Sequence, residues 1–249
     1  MDVDTAKPKV SVIIPAYNEA TYINRLLEAL SKQDFDSFEV IVSDADSGDG
    51  TEEVVKSFND KLDIRMVTSP PKGPGAGRNV GAKAARGEWL LFLDADVTVR
   101  DPDFISSLLN KTEEKGWSTS SAQMRVAGSS LLGKIGHSQA YLNLMAHTKH
   151  PIMQGYCMFT KRQVFQELNG FNEALQYGED NDYATRSARF SFGFVRGIYY
   201  YVDPRRYEQE GWGLLFKNMK HELYRLTHGF RFENNKSDYE FGKHKKRQK

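Results

Sequence analysis

Short apolar runs alternate with segments of helical period along the first hundred residues, and that alternation leaves few folds open. Val10-Ser-Val-Ile-Ile14 has the length of a buried strand. Ile23, Leu26, Leu27 and Leu30 then recur at the spacing of one helix face. Phe38–Val42 reads as a second strand, and a helix opening at Asp49-Gly-Thr51 carries Val54, Val55 and Phe58. Ile64–Val67 is a third strand. A loop with Pro70, Pro71, Gly73, Pro74, Gly75 and Gly77 leads into a helix reaching about Arg86, and Trp89–Leu93 is a fourth strand. Such alternation predicts parallel strands joined by crossover helices. In open sheets of this kind, ligands sit beyond the carboxyl ends of the strands. Three polar clusters fall at those ends: Pro15-Ala-Tyr17-Asn18-Glu19, Asp44-Ala-Asp46-Ser-Gly-Asp49 and Asp94-Ala-Asp96. They are expected to converge.

The second half is less regular. Phe104, Leu108 and Leu109 indicate a helix, residues 118–126 a strand, Leu131 to about His147 a helix, Gly155–Thr160 a strand, and Phe192–Val202 an aromatic, β-prone run. From Gly211 to Phe230, a helical period places Trp212, Leu215, Phe216, Met219, Leu223 and Leu226 on one face. Lys217, Lys220 and Arg225 lie off that face, and the cationic run Lys243–Lys249 follows. Two readings stay open: the helix lies on an anionic membrane, or it covers the core, which is the commoner arrangement. With no internal repeat and no clear linker, one compact domain is expected.

Composition narrows the classes. A 39% hydrophobic content over 249 residues supports a sizeable core, and 34 basic residues against 33 acidic ones argue against a general nucleic-acid binder. One cysteine, Cys157, allows no intrachain disulfide and fits a reducing compartment. The opening Met-Asp-Val-Asp lacks the pattern of a secretory leader. No apolar run approaches the roughly 18 residues of a membrane span. The expected location is cytoplasmic, with peripheral contact at the inner face of the membrane as an option.

Asp94-Ala-Asp96 carries the chemistry. Two carboxylates one residue apart, just past a strand, suit a hard divalent cation, which takes oxygen ligands and neutralises a diphosphate. One carboxylate then serves the metal and the other ribose or water; a strand-ending acidic turn is the plain alternative. The Gly-rich loop before Arg78 opens a helix, and a helix N-terminus favours phosphate. It lacks the Gly-Lys-Ser/Thr ending of a P-loop.

Taken together, Pro15-Ala-Tyr17-Asn18-Glu19, Asp44 to Thr51, Gly75-Ala-Gly77-Arg78-Asn79-Val-Gly81, Asp94-Ala-Asp96 and Gly178-Glu179-Asp180 occur in an order and spacing that resembles glycosyltransferase family 2, the inverting transferases with a GT-A fold. The resemblance covers about residues 10–185. It implies an α/β, Rossmann-like, mostly parallel mixed sheet flanked by helices, with a helical C-terminal extension. The implied domain spans 9–230, with a nucleotide-binding half (about 9–100) and an acceptor-binding half with the C-terminal helix (101–230), between a disordered 1–8 and a basic tail at 231–249. The implied reaction moves a sugar from a UDP- or GDP-linked donor to a hydroxyl acceptor, a glycan or glycolipid, with Mn²⁺ or Mg²⁺.

Roles follow from the same resemblance. Pro15, Tyr17 and Glu19 line the base pocket, where the tyrosine ring can stack; a helix start capped by Asn18 is the bland reading. Asp44 contacts the base. Ala45 stands where the family often has a second aspartate, and Asp46 where glycine is usual, which leaves the nucleobase open. Asp49 reads best as a cap. Arg78 contacts the donor, Asp94 points towards ribose or water, and Asp96 holds the metal. Asp180 is the general base that removes the acceptor proton, and Asp182 is close enough to share that role. Glu179, Arg205 and Arg206 are candidates for the diphosphate or acceptor; surface ion pairs are the alternative for the two arginines. His221 or His228 would complete a metal shell, or be structural. The Gln-x-x-Arg-Trp motif of processive synthases is absent from the sequence. A polyprenyl phosphate acceptor, already ionised, would need no base. A nucleotidyltransferase is disfavoured because no basic glycine-rich loop follows the first strand, and a non-catalytic nucleotide-binding module is the remaining class.

Overall fold

The computed structural model describes residues 7–128, 131–136, 138–145, 148, 151–175 and 178–228. Strand β1 (Val10–Ala16), helix α1 (Ala20–Leu30), β2 (Phe38–Asp44), α2 (Thr51–Lys56), β3 (Ile64–Thr68), α3 (Pro74–Ala84) and β4 (Trp89–Leu93) follow in order. All four strands pair in parallel, as the alternation predicts. A short β5 (Thr98–Val99), α4 (Phe104–Glu114), β6 (Thr119–Val126), α5 (Leu131–Gly136), α6 (Gln139–Met145), β7 (Cys157–Lys161), α7 (Arg162–Glu167), α8 (Glu179–Ser187), β8 (Phe192–Val202), α9 (Arg205–Glu210) and α10 (Trp212–His228) complete the chain. The eight strands form one sheet in the order β3-β2-β1-β4-β7-β6-β8-β5. β7 runs antiparallel to β4, so the sheet is mixed.

Central strands read as unbroken apolar runs because both faces are covered. Every residue of β4 is buried, and alternation sends Trp89, Leu91 and Leu93 to one face and Leu90 and Phe92 to the other. The first face takes the apolar stripes of α1 (Ile23, Leu26, Leu27, Leu30) and α4 (Phe104, Ile105, Leu108). The second takes α3, α7 and α8 through Ala82, Val164, Phe165, Tyr183 and Ala184. Helix α3 lies close to the sheet: a Cβ on Gly81 would come within 2.5 Å of Ile13 Cγ2. Its far end is tied down by buried Glu39, whose carboxylate accepts hydrogen bonds from Ser11 Oγ, the Arg86 backbone N–H and the guanidinium groups of Arg65 and Arg86.

Two expectations change, and the candidate arginines gain a place in the fold. The helix expected from Leu131 to His147 is two helices, because Ser138 starts a new one: its Oγ accepts the Tyr141 N–H and its carbonyl the Leu142 N–H. Arg205 and Arg206 stand at the start of α9, where Asp203 Oδ1 accepts the Arg205 N–H at 2.9 Å. Helix α10 forms, but its apolar stripe does not cover the core. Trp212, Phe216, Met219 and Leu223 are exposed, and among the described side chains of the helix Leu214 is buried. No helix among the described residues is long and apolar enough to cross a membrane. Residues 1–6 of the expected disordered start and the basic tail at 231–249 lie outside the described residues.

Candidate active site

The strand order β2-β1-β4 brings the three polar clusters to one rim of the sheet. Pro15 is buried in β1, and Tyr17 and Glu19 are half-buried just past it. Asp44, buried at the end of β2, accepts hydrogen bonds from the Ser47 N–H and hydroxyl, which folds the loop back and lets Asp46 sit in the left-handed region at φ 67°. Asn18 is also left-handed, at φ 55°. It does not cap α1, the plain alternative for this stretch; its Oδ1 accepts the Gly48 N–H at 3.0 Å. The cap comes from Asp49 in the β2 loop, whose carboxylate accepts the Ala20 N–H and the Thr51 N–H, each at 3.1 Å. The β1 and β2 loops are thus stitched together, and the rim is held in shape by side chains.

Beside this rim lies a buried ionic cluster. Gly73, at φ 100°, turns the chain into α3 with Pro74 at its start. Arg78, one turn along, is 1% exposed and is no solvated surface arginine. Nη1 donates to Glu179 Oε1 at 2.8 Å and Nη2 to Asp94 Oδ1 at 2.7 Å. The guanidinium also lies 5.4 Å from the Phe171 ring centroid. Gly155 leaves room for it, since a Cβ there would sit 2.4 Å from Nη2. One arginine therefore joins the end of β4 to the start of α8.

Helix α8 begins after Gly178, at φ 79°. Asp180 is half-buried and held by backbone: Oδ2 accepts the Gly155 N–H at 2.8 Å and Oδ1 the Asn181 N–H at 2.7 Å. Burial raises its pKa against the opposing pull of Arg78. Burial, and then the charge of Asp180, push Glu179 up to about 7, again opposed by Arg78. Asp182 is engaged elsewhere. It accepts from Arg186 Nε at 2.8 Å, and that arginine also holds the carbonyls of Leu168 and Gly170.

Asp96 accepts from Arg205 Nη2 at 3.0 Å, and Arg205 stacks 3.8 Å above the Tyr22 ring. Burial, then the Asp94 charge, push Asp96 up to about 6. Burial, then the Asp96 charge, push Glu19 up to about 8. Glu19, Asp94 and Asp96 thus raise the local cost of negative charge, and Arg205 offsets it at Asp96. Carboxylate oxygens are the ligands a hard divalent cation prefers, and Asp94 and Asp96 would supply them from this rim. Among the described residues no three His, Cys, Asp or Glu side chains form a complete metal cage. His221 lies on α10, where burial and then Lys217 and Lys220 lower its pKa. The side chains of Arg206 and His228 lie outside the described residues.

Two contributors carry no pattern of their own. Gly155 supplies a backbone N–H and an absent Cβ; a lone glycine just before a strand is the available signal. Tyr22 supplies the ring beneath Arg205, and nothing in its neighbours marks it.

A family profile described as Glycosyl transferase family 2 matches residues 11–169. The Staphylococcus aureus poly(ribitol-phosphate) beta-N-acetylglucosaminyltransferase TarS is 45% identical over 92 residues, covering 35% of this chain and 16% of that protein. The succinoglycan biosynthesis protein ExoO of Rhizobium meliloti is 29% identical over 192 residues, covering 70% of this chain and 53% of its own. The chain therefore spans about half or less of these relatives' lengths. The crystal structure of TarS residues 1–349 with UDP-GlcNAc superposes with a TM-score of 0.66 at 26% identity, over 78% of this chain and 58% of that one. The mannosyltransferase PcManGT of Pyrobaculum calidifontis, solved with GDP-Man and Mn²⁺, has a TM-score of 0.67 at 24% identity, over 79% and 57%; that likeness speaks to the fold.

Proposed function

Because the chain belongs to glycosyl transferase family 2 and has its GT-A fold, we propose that it transfers a sugar, with inversion, from a nucleotide-diphosphate sugar to a hydroxyl of a glycan or glycolipid, as a hexosyltransferase. The observation that carries this reading is one buried arginine, Arg78, linking Asp94 on the rim to Glu179, the neighbour of Asp180. Donor-binding and acceptor-activating carboxylates are thereby set in one rigid frame. Tyr17 offers a half-buried ring for the base, and Pro15 and Asp44 are buried at the ends of the neighbouring strands. Asp94 is held towards the ribose side by Arg78. A divalent cation, Mn²⁺ or Mg²⁺, bound at Asp96 would neutralise the departing diphosphate. Arg205, already a cation at Asp96, is suited to contact the same phosphates.

Asp180 takes the acceptor proton as the acceptor oxygen bonds to the anomeric carbon. The bond from that carbon to the diphosphate oxygen breaks on the opposite face, and its electron pair leaves with the nucleoside diphosphate. Two backbone N–H groups orient the Asp180 carboxylate, and its raised pKa makes it a better proton acceptor than a solvated aspartate. A base in this position favours a hydroxyl acceptor over a polyprenyl phosphate. We take residues 9–230 as the working unit, with the donor handled by 9–100 and the acceptor by 101–230.

Thermal melting with a panel of nucleotide sugars, with and without Mn²⁺, tests the reading. One nucleotide class should stabilise the protein in a metal-dependent way, by about 2.7 kcal/mol at a hundredfold excess over Kd. For a chain of this length that is roughly 5–10 °C. If no nucleoside diphosphate moves the melting curve under either condition, the proposal fails.

A further inference from the structure

Helix α10 is inside out for a helix on a globular body. At about 100° per residue, Trp212, Phe216, Met219 and Leu223 fall within roughly 60° of arc. All four are between 57% and 64% exposed, whereas Leu214, on the opposite side, is 2% exposed. The helix rests on the body by its less apolar side and presents its apolar ridge outward. It packs on α9 and α5, and Tyr141 of α6 donates a hydrogen bond to Glu222. Those neighbouring helices expose further large apolar side chains: Leu131 and Ile135 on α5 and Leu144 on α6. Monomeric surfaces rarely gather so many.

The cations beside the ridge are lysines, and Glu208 and Glu210 of the adjoining α9 are exposed as well. Lys220 flanks it on one side, about 70° round from its centre, with Lys217 further round at about 130°, and in the sequence of α5 Lys134 sits between Leu131 and Ile135. On the other side the carboxylate of Glu222 is engaged by Tyr141. We propose that this face docks on an anionic lipid bilayer, with the ridge in the acyl boundary and the lysines at the lipid phosphates. A second copy of the chain fits less well, because a two-fold contact would set the same lysines against each other. The docking face also reaches the proposed catalytic centre: α9, which carries Arg205 to Asp96, is joined to α10 through Gly211 alone. Docking would hold the acceptor half of the site at the membrane surface. The proposal stands on the helix geometry and does not need the transferase reading; vesicle binding without nucleotide binding would leave it intact.

Co-sedimentation of the full chain with vesicles of phosphatidylcholine alone, or mixed with phosphatidylglycerol, tests it. The wild type should sediment with the mixed vesicles and much less with phosphatidylcholine alone. F216S/L223S and K217E/K220E should each lower binding about tenfold or more, while the melting temperature and the nucleotide response stay at wild-type values. The proposal is overturned if the wild type remains in the supernatant with both vesicles, or if F216S/L223S sediments like the wild type. It is equally overturned if the wild type elutes as a dimer that F216S/L223S dissolves, which would assign the ridge to a second copy.

Discussion

Arg78→Met is the most informative perturbation of the frame. The side chain is nearly solvent-free, and both ends of its guanidinium are committed, to Asp94 at 2.7 Å and Glu179 at 2.8 Å. Methionine fills much of the volume and leaves two carboxylates facing an apolar gap. Breaking a buried pair in this way costs about 3–5 kcal/mol. For a chain of this length that lowers the melting temperature by roughly 6–20 °C. The loss should depend on pH, with a sign that follows from linkage. Glu179 already has a raised pKa, about 7, with the arginine opposing the rise. Removing Arg78 raises it further. A carboxyl group with a raised folded pKa contributes stability that is present below its unfolded value and lost as pH climbs through the folded one. The deficit of Arg78→Met should therefore be smaller at pH 5 than at pH 8. Adding Glu179→Gln should recover part of the loss at pH 8, since neighbours in one network are not additive. The assay is thermal unfolding of the nucleotide-free protein across that range. A variant that melts within 2 °C of the wild type, as judged against the roughly 2–4 °C expected per kcal/mol, would refute the reasoning; so would a deficit that is the same at both pH values.

Two other variants probe the same region. Asp180→Asn should lower turnover about 10²–10⁴-fold while keeping the nucleotide-induced melting shift; unchanged turnover in a transfer assay would remove Asp180 as the base. Gly155→Ala places a Cβ 2.4 Å from Arg78 Nη2, a collision expected to cost about 1–3 kcal/mol, and a wild-type melting curve would show that the arginine has slack the structure does not suggest.

Much of the donor half is legible in the sequence because its signals are redundant. Trp89–Leu93 is apolar throughout and short, and its turn residues and the following aspartates mark where it ends. Once such strands run parallel, their carboxyl ends must share a rim, so Tyr17, Asp44 and Asp94 can be grouped from the sequence. Local bonding chemistry is harder to read. Asn18 and Asp49 are both reasonable caps, and only the path of the β2 loop decides that Asp49 reaches Ala20. Ser138 interrupts what periodicity reads as one helix, because a serine hydroxyl can start a turn wherever the chain bends. The stripe on α10 shows the opposite limit. Periodicity reveals that Trp212, Phe216, Met219 and Leu223 share a face, but which way the face points depends on what the other side meets. Arg78 is visible as a candidate, yet its two hydrogen bonds, to Asp94 and Glu179, join residues 16 and 101 positions away, and no local pattern carries that information.

The place of β7 in the sheet has a consequence for how the chain emerges from the ribosome. Strand β4 is bordered by β1, made earlier, and by β7, made later. When Leu93 has left the exit tunnel, roughly 60 more residues must be synthesised before its antiparallel partner exists, about 3–12 s at ordinary elongation rates. Through that interval the nascent chain carries an unpaired edge of tryptophan, leucine and phenylalanine, the kind of edge that recruits other strands. Truncation ahead of Cys157 would make the open edge permanent and turn a transient hazard into an insoluble product.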